Sequence, residues 1–103
     1  MRTLRFSKTF EHAFDALLAE GEPRFGANLV RQKRTVVLST IANFLTVHPD
    51  AKRPHPRLGL VVYPISKTPF VVLYDFDDTE LRVHFIFLKG ADLERLDPGS
   101  AEW

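Results

Sequence analysis

Cysteine is absent from the 103-residue chain, which excludes a disulfide framework and a thiolate metal site and permits a reducing compartment. No unbroken apolar stretch approaches the roughly 20 residues that span a bilayer. The start, Met1-Arg2-Thr3-Leu4-Arg5-Phe6-Ser7-Lys8, interleaves cations with apolar residues, so neither export nor membrane insertion is expected and a cytoplasmic location is. Gly-rich phosphate loops, a nucleophile elbow and a well-spaced carboxylate pair are all missing. His12, His48, His55 and His84 lack metal-ligand spacing such as i, i+4 on one helix, and no metal or other cofactor is expected. Glycine is scarce at five residues, too few for a low-complexity or collagen-like chain.

What is present is an apolar fraction of 45% with 12% aromatics, which predicts one compact domain over residues 1–103 with a C-terminal tail at 91–103. The net charge of +1 conceals a division. Residues 1–57 carry ten Lys/Arg against five acids, a net of +5, and the remainder carries four against eight, a net of −4. An oriented surface follows, with a basic half able to meet an acidic partner or a polyanion, or to stand as a solvated face.

Arg2 to Phe6 alternates as a short strand would. Ser7 is placed to cap a helix carrying Phe10, Phe14, Leu17 and Leu18 on one stripe, with a break expected at Gly21-Glu22-Pro23. A longer helix is predicted from about Gly26 or Asn28 to Val47, with Val30, Val37, Ile41 and Phe44 at helical spacing and Pro49 closing it. The two form an antiparallel pair. After the basic, proline-punctuated connector DAKRPHPR, residues 58–65, 70–76 and 80–88 read as three strands whose short links require antiparallel pairing. The fold class is α+β: an N-terminal short strand and a helical hairpin packed on a small antiparallel sheet, in the order β-α-α-β-β-β.

The last strand, ELRVHFIFL, is apolar on both sides at its end. Strict alternation puts Arg82, His84, Ile86 and Leu88 on one face, joined there by Val71 and Leu73 of the preceding strand. Two helices cover only one side of a sheet. Val71, Leu73, Ile86 and Leu88 are therefore expected to form an apolar patch for a partner. The competing expectation is that residues 91–103 fold back and lay Leu93, Leu96 or Trp103 over it.

A helix ending in Phe44-Leu45-Thr46-Val47-His48-Pro49, then a Pro-containing connector, then LVVYPISKTPFVVLYDFDDTELRVHFIFLKGADLERL, resembles the RelE/ParE superfamily of type II toxins. The Gly90-Ala91-Asp92 corner is closer to the ParE branch, with Lys89 where that branch usually has His. The resemblance implies an antitoxin that wraps the toxin and fills apolar grooves on it, with Val71, Leu73, Ile86 and Leu88 as its contacts. It also implies a target, DNA gyrase, inhibited by binding and not by catalysis, with Lys89, Arg53 and Arg57 as target-facing cations. The alternative within the superfamily is cleavage of messenger RNA on the ribosome, in which a base activates a ribose hydroxyl and cations stabilise the phosphorane. Its candidate set is Lys67, Arg82, His84 and Lys89. A third possibility is a member that binds antitoxin and is no longer toxic.

Overall fold

The computed structural model describes residues 2–103. Strand β1 (Thr3–Phe6) leads into helix α1 (Lys8–Phe25), helix α2 (Ala27–Ser39) with a π-helical extension over Thr40–Leu45, and strands β2 (Val61–Pro64), β3 (Phe70–Phe76) and β4 (Glu80–Leu88). The sheet order is β1-β4-β3-β2. β2, β3 and β4 pair antiparallel as expected, and β1 joins the far side of β4 in parallel, so the sheet is mixed.

Ser7 starts α1 by accepting the Phe10 amide at 2.8 Å on its hydroxyl, and the same hydroxyl donates to the His84 carbonyl at 2.6 Å, tying the helix to β4. The break expected at Gly21-Glu22-Pro23 does not occur. The helix continues to Phe25 and turns at Gly26, whose φ of 84° lies in the region open to glycine. Pro23 falls inside the last turn and removes one amide bond there. A Cβ at Gly21 would sit 3.5 Å from Val30 Cγ2, an ordinary contact distance, so α2 packs over this point of α1 with room for a small side chain. α2 loosens at its end, where the Thr46 amide bonds back to the Ile41 carbonyl at 3.3 Å, a five-residue spacing.

The helices bury Phe10, Phe14, Val37, Ile41 and Leu45 against Val72, Tyr74, Leu81, Val83 and Ile86 on the inner face of the sheet. The Tyr74 hydroxyl, fully buried, donates to the Pro49 carbonyl at 2.7 Å and ties the connector to the sheet. The outer face forms a second core of Leu58, Leu60, Val71, Leu73 and Phe85, against which Leu93, Leu96 and Ala101 of the tail pack.

The boundary between the two faces differs from strict alternation. Leu73 pairs with Phe85 and Tyr74 with Val83, so His84 is the extra residue of a β-bulge. Beyond it the faces of β4 exchange: Phe85 and Phe87 point outward and Ile86 points inward. The patch expected from Val71, Leu73, Ile86 and Leu88 is therefore not one surface. Val71 and Leu73 are buried beneath the tail and loop, Ile86 is buried beneath the helices, and of the four only Leu88 is exposed, at 49%.

Candidate functional site

The ends of α1, α2 and β4 converge on an apolar groove of about 620 Å³. Its floor is Leu17, Leu18, Val30 and Phe70, and its walls are Phe25, Leu29 and Leu88. Those three wall residues are 57%, 39% and 49% exposed, a concentration of large apolar side chains unusual on a water-facing surface. α1 supplies Leu17, Gly21 and Phe25 at a spacing of four, and its continuation past Gly21 is what places Phe25 here. Reading the Gly-Glu-Pro as a stop hides this wall, although the i, i+4, i+8 spacing carries the signal.

Cations rim the groove. Arg24, Lys33, Lys67 and Lys89 line it beside one acid, Glu20. Lys33 Nζ donates to the Lys67 carbonyl at 2.6 Å. Lys67 occupies the left-handed region at φ 66°, and the Lys89 amide donates to the Pro69 carbonyl at 2.8 Å, so the turn before β3 and the end of β4 hold both lysines at one margin. An apolar trough with a positive rim fits an amphipathic segment with acidic residues along its edges.

The other candidate residues sit elsewhere. Arg82 bonds Asp75 at 2.9 Å, Asp77 at 2.9 Å and Glu80 at 3.0 Å. These bonds raise the guanidinium pKa further, and Arg82 with the amides of Thr79 and Glu80 holds the Asp77 carboxyl well below the usual carboxylate range. Burial pushes the Asp75 carboxyl up, but the hydrogen bonds from Arg82 and His84 outweigh it and leave its pKa lowered. His84 Nε2 lies 3.0 Å from Asp75 Oδ1, and its Nδ1 is sealed from solvent with no hydrogen-bond partner. Seven residues of extended chain separate Arg82 from Lys89, roughly 20 Å at strand rise. Lys67 and Lys89 are thus together, Arg82 and His84 are together, and the two pairs do not converge. Arg53 is exposed. Arg57 is engaged: its guanidinium donates to the carbonyls of Leu93 and Leu96 in the tail.

No protein-family model matches the chain, and no curated protein does. Among solved structures, a chain of the "Chromosomal ParDE TA system from P. aeruginosa" matches with a TM-score of 0.73, covering 85% of this chain and 96% of that one at 16% identity. This chain has the fold of that chain. At that identity the shared property is the fold, in agreement with the RelE/ParE resemblance of the helical hairpin and the strands that follow it. The groove lies within this shared framework, between the hairpin and the end of the sheet. No helix among the described residues is long and apolar enough to cross a membrane.

Proposed function

We propose that the chain is a ParE-like toxin of a type II toxin–antitoxin pair, neutralised by an antitoxin segment seated in the groove and acting in the cytoplasm by binding DNA gyrase. The observation that carries the reading is the cation-rimmed apolar groove on a fold shared with a ParDE-system chain. Leu88 remains an antitoxin contact, alongside Phe25 and Leu29, while Val71, Leu73 and Ile86 are buried. Lys89 and Arg53 are exposed cations offered to the target, and Arg57, whose guanidinium is held by the tail carbonyls, is the third.

Binding is favoured over catalysis by the state of the ribonuclease set. Arg82 is neutralised by three carboxylates, and the free ring nitrogen of His84 is closed to solvent. Neither can serve a phosphate in this arrangement without breaking its own contacts. Purified protein tested in a gyrase supercoiling assay, beside a messenger-cleavage assay on programmed ribosomes, decides the matter. Loss of supercoiling with intact messenger is expected. Cleaved messenger with normal supercoiling overturns the gyrase reading in favour of the ribonuclease, and silence in both favours a non-toxic antitoxin binder.

A further inference from the structure

The outer face of the sheet is closed by the chain's own residues 91–103, and the closure is unlike that of the inner face. Leu93, Leu96 and Ala101 cover Val71, Leu73 and Phe85 while remaining only partly buried themselves. The segment adds no strand to the sheet. Besides this packing it is attached at three points, two of them hydrogen-bonded and one aromatic. At the first, Arg57 holds the Leu93 and Leu96 carbonyls. At the second, the Glu102 carbonyl accepts the Lys8 and Thr9 amides at 2.6 and 3.4 Å, and the Glu102 amide donates to Thr9 Oγ1 at 2.9 Å. At the third, Trp103 meets His84 edge-on at 4.8 Å and receives the Arg5 guanidinium over its ring at 4.9 Å.

The side-chain hydrogen bonds at the first two points are exposed, so water can replace them at little net cost, while the third is an aromatic contact on a His84 side chain that is largely buried. A segment with few buried apolar contacts and solvent-facing hydrogen bonds opens at a lower free energy than the body it lies on. Of the first-turn amides of α1, Phe10 is capped from within the chain's N-terminal part by Ser7, and only Lys8 and Thr9 turn to Glu102. Beneath the segment lies an apolar face, with Leu73 fully buried and Val71 and Phe85 at 7% and 4% exposure under the joint cover of the segment and the loop carrying Leu58 and Leu60. Opening would also free Arg57 beside the exposed Lys52 and Arg53.

We propose that residues 91–103 are a latched strap that opens as a unit while the helices and sheet stay folded. Closed, it occupies Arg57 and shields the outer face; open, it presents both. The strap stands or falls independently of the toxin reading, since it concerns only this chain. Trp103 is the only tryptophan and reports on the strap directly. Urea titration of the full chain is followed by acrylamide quenching of Trp103 and by the far-ultraviolet helix signal. Trp103 is expected to become as accessible as free tryptophan at a lower urea concentration than the helix signal is lost, with a hydrophobic dye binding in the interval. Arg57→Ala is expected to move the tryptophan transition to lower urea and leave the helix midpoint in place. Thr9→Val, which removes only the acceptor for the Glu102 amide, is expected to do the same to a smaller extent. Coincident transitions in the parent chain, or a Thr9→Val chain that shifts both signals together, overturn the proposal.

Discussion

Leu88→Glu tests the groove most directly. Leu88 ends β4 with 49% of its surface exposed, so about half the value of burying a leucine, roughly 1 kcal/mol, remains to be gained when a partner covers it. The substitution forfeits that gain and places a carboxylate in the trough, where desolvation without a matched partner costs about 1–3 kcal/mol. Lys67 and Lys89 at the rim offset part of the charge penalty, leaving a net loss of about 2–3 kcal/mol, or roughly 30- to 150-fold in Kd. The free chain is expected to lose no more than about 1 kcal/mol, because the glutamate can turn to solvent from the end of the strand. Calorimetric titration with the cognate antitoxin measures the first quantity, and urea denaturation of the free chain the second. Phe44→Glu is the control: Phe44 is 39% exposed but lies at the π-helical end of α2, outside the groove, and its loss should leave affinity within a few fold. Equal affinity of the Leu88→Glu and parent chains, with the free chain still folded, would refute the groove as the antitoxin seat.

Two further perturbations probe what holds the site in place. Tyr74→Phe removes the buried hydroxyl that donates to Pro49 and strands that carbonyl, so stability should fall by about 1–2 kcal/mol and the urea midpoint by roughly 0.5–1 M; an unchanged midpoint would show that the connector is not held by this bond. Asp75 has a lowered pKa in the folded chain, so its contribution to stability is present above its unfolded value near about 3.9 and is lost as pH falls through the lower folded value. Because its side chain is 37% exposed, that contribution is under about 1 kcal/mol, and Asp75→Asn should flatten the fall in melting temperature on acidification while lowering it at pH 7. A steeper acid fall in the variant would contradict the sign.

The element order, the Ser7 cap and both hairpins of the antiparallel strands were legible because each rests on local chemistry: a capping hydroxyl, a run of period two, a turn such as Asp77-Asp78-Thr79 whose Asp77 carboxylate accepts the Thr79 and Glu80 amides at 2.9 Å. The groove was legible only in part. The sequence singles out Leu88, Lys67 and Lys89, but Phe25 and Leu29 require knowing that α1 runs through Pro23 to the turn at Gly26, where Gly21-Glu22-Pro23 reads locally as a stop. The apolar surplus in ELRVHFIFL was read from the sequence, and its destination was not. A strand with period-two alternation has one register of faces, and a single inserted residue at His84 reverses it for everything downstream. Nothing in the local sequence marks His84 as that residue, since a histidine between Val83 and Phe85 satisfies alternation as well as it satisfies a bulge. What selects the bulge is that both faces of β4 then find cover: Ile86 goes beneath the helices, and Phe85 joins Leu73 beneath the tail. Strict alternation would instead crowd Phe85 and Phe87 against the helices on the inner face and leave Ile86 facing the thin cover of Leu93, Leu96 and Ala101. The bulge therefore sorts the apolar excess between two covers of unequal size, and the only large part it leaves uncovered is Leu88, at the wall of the groove.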